Sequence, residues 1–255
     1  MGDQGTILSY APTTATWTKV SSPTTNNLFA VDGVSSSVLS LYYLWPVGDS
    51  VVLANAGAPN LFQTQWSGGP AFRSVWFYAS NAAFAVGVGG VIAGFDGNNW
   101  TTYTSPVTEQ LNGVWMASSS EAYAVGQSGS VLQYDGSDWS KWTYFTNDLH
   151  AITGLSSNDI WIGGGRGLIY HYDGSIFTTY QVLSTTSTVF SIWGRGSSNV
   201  WAVGDGGGIA HWDGVSWTKQ ASPTTVRLYA IGTDISSPSN VWAVGEGGVI
   251  LHRTQ

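Results

Sequence analysis

Apolar and polar residues alternate with a period of two through short runs, and glycine- and aspartate-rich turns separate the runs. That is the pattern of half-buried strands, not of helices. It is clearest in residues 188–221, TVFSIWGRGSSNVWAVGDGGGIAHWDGVSWTKQA. The alternation predicts four strands there: Val189–Trp193, Val200–Val203, Gly208–Trp212 and Ser216–Lys219. The turns GRGSSN, GDGG and DGV join them, so the segment reads as a four-stranded antiparallel meander.

The meander recurs along the chain. Trp45, Phe84, Tyr123, Trp161, Trp201 and Trp242 each sit three positions before a glycine: Gly48, Gly87, Gly126, Gly164, Gly204 and Gly245. Those glycines are 39, 39, 38, 40 and 41 residues apart. A strand-rich period near 40 predicts an all-β, six-bladed β-propeller of four-stranded antiparallel blades. Inner strands are expected to begin at Leu28, Phe72, Leu111, Leu149, Val189 and Leu228. Outer strands should centre on Trp17, Trp66, Trp100, Trp139, Phe177 and Trp217. The blades then span about 28–66, 72–104, 111–145, 149–182, 189–221 and 228–255, the last completed by 1–20. Residues 1–255 form a single domain in this reading, closed by N- and C-terminal strands sharing one blade. Third-strand candidates number seven, because GTILSY and GGVILH both qualify. Residues 34–66 are the least regular blade, with an inserted SSSVLSL and Pro46 in a second strand.

Residues that recur in every blade read as scaffold. The two aromatic positions serve packing between sheets. Ala30, Ser74, Gly113, Ala151, Ser191 and Ala230 are small, as converging inner strands require. Val31, Val75, Val114, Ile152, Ile192 and Ile231 follow them and are expected in the core. Asp96-Gly97, Asp135-Gly136, Asp173-Gly174 and Asp213-Gly214 fall between third and outer strands as tight turns. The glycine-rich VGDGG and VGEGG segments join strand to strand, so they lack the helix that a phosphate cradle uses.

A binding site is expected where the frame is constant and the side chain varies. The second inner-strand residue runs Phe29, Arg73, Asn112, His150, Phe190, Tyr229, at the mouth of the central channel by propeller geometry. Residues just after the second-strand glycine share that face, among them Asp205 and Glu246. Trp76, Trp115 and Trp193 lie late in three inner strands, where the other blades carry Asp32, Thr153 and Gly232. The candidate ligand-binding set is therefore Trp76, Trp115, Trp193, Arg73, Asn112, His150, Tyr229, Asp205 and Glu246. Trp142 and Trp212 stand outside the two packing rings and are expected to be exposed. His171, His211 and His252 share one third-strand position in successive blades, too far apart for shared metal ligation, and read as sheet-surface residues.

Composition narrows the function. The chain has 8 basic and 15 acidic residues, a net charge of −7, and only 9% charged residues. Without clustered Lys and Arg, a nucleic-acid backbone is not an expected partner. There is no cysteine, hence no thiol nucleophile, thiolate metal site or disulfide. No metal site and no cofactor are expected. The opening MGDQGTILSY has no signal-peptide pattern, and no apolar run reaches membrane-spanning length, so no membrane insertion is expected.

The segments NVWAVGDGGGIAHWDGVSW and NVWAVGEGGVILHR resemble the tectonin-type β-propeller repeat, in which a VWAV strand precedes an IYRWDG-like strand and an outer tryptophan. They are also similar to bacterial neuraminidase (Asp-box) repeats and to photosystem-assembly-factor propellers. The likeness covers residues 72–255 well and 1–71 poorly. The tectonin resemblance implies a secreted or cell-surface, non-catalytic lectin that binds glycans or surface polysaccharide at several related pockets. The chain departs from that repeat in having glycine where a polar residue commonly follows the VWAV strand. The alternative is a protein-interaction scaffold using one propeller face, with a patch around Phe29, Phe190 and Tyr229. A glycosidase or sialidase would need three arginines converging with a glutamate-activated tyrosine. Arg73, Arg166, Arg195 and Arg227 instead fall in different blades.

Overall fold

The computed structural model describes residues 1–11, 13–36, 41–55, 61–234 and 237–253. Strands β1 (Ile7–Ala11) and β2 (Thr16–Val20) form a two-stranded antiparallel sheet. The first full blade is β3 (Leu28–Ser36), β4 (Leu41–Gly48), β5 (Val51–Ala54) and β6 (Gln63–Ser67). The second is β7 (Phe72–Ala79), β8 (Ala82–Gly87), β9 (Ile92–Phe95) and β10 (Trp100–Tyr103). The third is β11 (Leu111–Ser118), β12 (Glu121–Gly126), β13 (Ser130–Tyr134) and β14 (Trp139–Tyr144). The fourth is β15 (Leu149–Ser156), β16 (Asp159–Gly164), β17 (Leu168–Tyr172) and β18 (Phe177–Gln181). The fifth is β19 (Val189–Gly194), β20 (Val200–Gly204), β21 (Ile209–Trp212) and β22 (Trp217–Lys219). The sixth holds β23 (Leu228–Asp234), β24 (Ser237–Gly245) and β25 (Ile250–Arg253).

The fold is an all-β six-bladed propeller of four-stranded antiparallel blades, and all six inner strands begin at the residues the repeat predicts. Of the two candidate third strands, Ile250–Arg253 lies beside the second strand of its blade, whereas Ile7–Ala11 pairs with Thr16–Val20. The chain divides into two compact units, Met1–Ala124 with Leu132–Trp142, and Val125–Val131 with Thr143–Gln255.

The second to sixth blades turn in the same way. After the second-strand glycine, a single 3-10 turn places its middle residue in the left-handed region: Gly89, Ser128, Arg166, Gly206 and Gly247, with φ between 55° and 68°. The residue opening that turn ties its N–H to the carbonyl just before the inner strand, as in Val88 to Ala71 and Asp205 to Thr188. The Asp-Gly pairs form tight turns capped by their own aspartates. Each aspartate Oδ1 accepts the N–H groups two and three residues on, at 2.7–3.0 Å. Those bonds hold the four carboxyls below the usual range.

Within the first unit, β1 and β2 seat Ile7 and Val20 on Leu28, Val51, Leu53 and Phe62. Phe84, Val86 and Ile92 pack against Leu111, Val114 and Leu132. Within the second unit, Trp161 packs with Val189, Ile192, Val200 and Trp212, and Trp201 with Leu228, Ile231 and Val241. Val75, Val114, Ile152, Ile192 and Ile231 are core as expected, but Val31 is 42% exposed. Inner strands are also clipped together by side chains that sequence reasoning took only as small. Ser74 Oγ accepts the Val114 N–H and Ser191 Oγ that of Ile231, each at 3.3 Å. Trp212 corrects an expectation of exposure: it is buried, and its indole donates to the Ser197 carbonyl at 3.0 Å. Trp142 is half-buried against Tyr123, ring centroids 4.9 Å apart. In the irregular blade, part of the insert SSSVLSL (37–40) lies outside the described residues. Pro46 is the last β4 residue before the β4–β5 pairing, which holds only Val47↔Val52 and Gly48↔Val51. Proline has no N–H to give a ladder.

Candidate functional site

In the second unit, the variable second positions of three successive inner strands come into contact. His150 meets Phe190 edge-on with ring centroids 5.4 Å apart, and Phe190 meets Tyr229 at 5.7 Å. Tyr229 is 48% exposed. The turn before β21 supplies Asp205, whose Oδ1 accepts from Arg227 Nε at 2.8 Å and whose Oδ2 accepts the Thr188 N–H at 2.9 Å. Asp205 and then Tyr229 raise the Arg227 guanidinium above its ordinary value, so this cation is permanently charged. Burial pushes the His150 imidazole down, against the pull of Asp148 and Asp205, which favours the neutral ring. The result is a ridge of three rings with one ion pair beside it. Glu246 is exposed on the equivalent turn of the next blade.

In the first unit the same frame holds Phe29 and Arg73, whose guanidinium lies 4.1 Å from the Phe29 ring centroid. Asn112 is half-buried and accepts from Gln110 Nε2 at 2.7 Å. The three inner-strand tryptophans do not form an open ligand platform. Trp115 is buried at 3% exposure and stacks on Tyr123, centroids 6.1 Å apart. Trp76 and Trp193 are half-buried against the core clusters of their blades. Asp32, which stands where those blades carry tryptophan, accepts the Phe77 N–H at 2.6 Å and so joins β3 to β7. Burial pushes its carboxyl up to about 6.

The third-strand histidines have a clear job. The registers Trp161↔His171, Trp201↔His211 and Trp242↔His252 set each imidazole on the second-strand tryptophan of its own blade. The ring centroids are 3.7, 4.2 and 3.7 Å apart. Asp159 and Asn199 hold the free edges of His171 and His211, at 2.8 and 2.9 Å. Among the described residues, no cluster of three or more His, Asp or Glu could hold a metal ion, and no helix is long and apolar enough to cross a membrane.

A groove of about 650 Å³ opens in the first unit between the first and second full blades. Tyr43, Trp45 and Phe95 form its apolar part, and Gln65, Asn81 and Asn98 are among its polar walls. Sequence reasoning placed Trp45 in a packing ring and missed this cleft. The sequence hides it: counted from the second-strand glycine, the place of His171, His211 and His252 falls on Asn55, and only the shorter turn of this blade, with Val47 paired to Val52, moves Ala54 into it.

No protein-family profile matches the chain, and no curated protein matches it. Solved structures do. One titled "YCF48 bound to D1 peptide" superposes with a TM-score of 0.76 at 16% identity, covering 100% of this chain and 87% of that one. "Crystal Structure of Mitotic Checkpoint Complex" gives 0.74 at 16% identity over 98% and 82%. "Crystal structure of RRP9 WD40 repeats" gives 0.78 at 10% identity over 95% and 82%. These likenesses show the fold: a WD40-like β-propeller repeat architecture.

Proposed function

We propose that the chain is a non-catalytic, protein-binding propeller that engages a peptide segment along His150, Phe190 and Tyr229. The observation that carries this reading is the continuous contact of three non-repeated rings at one repeated position, beside Asp205 and Arg227. Packing needs the same residue in every blade, whereas this position changes from blade to blade. Aromatic side chains offer large contact area with little rotamer entropy to lose, and arginine adds a directional donor. A solved neighbour at 16% identity is described as bound to a peptide, which is consistent with the reading.

The test is selection from a random peptide library on the immobilised chain, followed by calorimetry with the selected peptides. Tyr229→Ala and Phe190→Ala should each weaken binding at least tenfold with an unchanged melting midpoint. A library with no enrichment, or peptides indifferent to both substitutions, would remove this reading. A secreted or cell-surface lectin related to tectonin-type repeats is the competing proposal. The burial of Trp115 takes away one of the open ring platforms it relied on. A glycan array on the same preparation discriminates the two.

A further inference from the structure

Each second-strand aromatic has two ring faces to cover, and the blades differ in how they cover the one turned toward their own sheet. His171, His211 and His252 cover Trp161, Trp201 and Trp242 from the adjacent third strand. In the third full blade Trp142 lies over Tyr123 from the outer strand. In the second, the third strand offers only Gly94 opposite Phe84, and Tyr103 reaches in from the outer strand, centroids 5.4 Å apart. A Cβ at position 94 would press on that tyrosine, so the glycine makes room for the cover.

The first full blade has no such cover among its described residues. Extending the β4–β5 register from Val47↔Val52 sets Ala54 opposite Trp45, and the bond from the Asn55 N–H to the Leu44 carbonyl at 3.2 Å keeps that register. The described ring partners of Trp45 are Phe77, Phe95 and Trp100, all from the neighbouring blade. On its own side, Trp45 faces the groove, with Tyr43 beside it.

We infer that this groove is a binding site for a planar aromatic side chain, tryptophan, tyrosine or histidine, presented by a partner peptide. The occupant is argued from the protein itself, which fills the equivalent place in three other blades with an imidazole, stacked flat on Trp161 and Trp242 and tilted by 33° on Trp201. The polar walls match a peptide more than a charged ligand: Gln65, Ser80, Asn81 and Asn98 are neutral. Asp96, the one acid there, already has Oδ1 committed to the N–H groups of Asn98 and Asn99. No residue of the groove belongs to the His150–Phe190–Tyr229 ridge, so the two sites stand or fall separately.

The probe is N-acetyl-tryptophanamide, with N-acetyl-alaninamide as the control and cellotriose as the sugar alternative. The readout is the indole N–H resonance of Trp45, assigned by its loss in Trp45→Phe. Saturable shifts of that resonance by the tryptophan amide at millimolar concentration, absent with the alanine amide, are expected. Ala54→His should install the missing cover and reduce the affinity at least tenfold while the fold is retained. Tyr43→Ala, which leaves the tryptophan untouched, should weaken binding about threefold or more and serves if Ala54→His does not fold. No saturable shift by the aromatic amide, affinity unchanged in both variants, or stronger binding of cellotriose would each overturn the inference.

Discussion

Among single residues, Asp32 has the most distinctive environment. Its carboxyl is raised by burial to about 6 despite the bond it accepts from Phe77. An unfolded aspartate titrates near 3.9, so the folded state binds this proton more tightly. Between those two values, stability therefore falls as pH rises, and the penalty is fully present above the folded value. A shift of this size corresponds to at most about 3 kcal/mol, with about 1–2 kcal/mol expected after partial solvent access. Asp32→Asn keeps an acceptor for Phe77 and should raise stability at pH 7.5 while flattening the profile between pH 4.5 and 7.5. Urea unfolding at both pH values checks this, and a variant as pH-dependent as the parent would point to another group. The turn aspartates act with the opposite sign, since bonds to their own turns lower their carboxyls. Their contribution is lost only in stronger acid. The histidines make a further point at this scale. Sequence alone could place His171, His211 and His252 at one repeat position, but only the register shows that each lies on a tryptophan.

At the level of the element, the 3-10 turn is where the repeat is most demanding. Gly206 and Gly207 are adjacent, and both have φ in the left-handed region. Nothing surrounds a Cβ placed on Gly206, whereas one on Gly207 would strike the Thr224 carbonyl. Gly206→Ala should then cost only the conformational strain, about 1 kcal/mol, and Gly207→Ala about 3 kcal/mol or more. Equal losses in chemical denaturation would refute the distinction. Ser128 and Arg166 already occupy the Gly206 place with φ of 55° and 63°. Ser128→Gly should accordingly gain about 0.5–1 kcal/mol, read by the same unfolding curves. Strand positions and glycine turns were legible because both follow from local rules, two-residue alternation and positive φ. The serine clips from Ser74 and Ser191 were not, because they join strands about forty residues apart.

For the whole molecule, the ridge in the second unit should separate binding from stability. Arg227 is largely exposed, and its pair with Asp205 is a surface ion pair. Arg227→Ala should leave the melting midpoint unchanged while weakening a selected peptide several-fold, and a lowered midpoint would reassign the arginine to the scaffold. The amino-acid sequence by itself determined the all-β class, the six-fold repeat, the start of every inner strand and the turn role of the aspartates. Each of these depends on residues close in the chain or on a repeat period that is visible without folding. It also singled out the inner-strand positions whose side chains vary. Only tertiary structure decided which of those side chains touch, that Trp115 is buried, and that Trp45, among the described residues, has no ring over it from its own sheet. Those outcomes depend on how rings from different strands meet, which no local rule of the chain specifies.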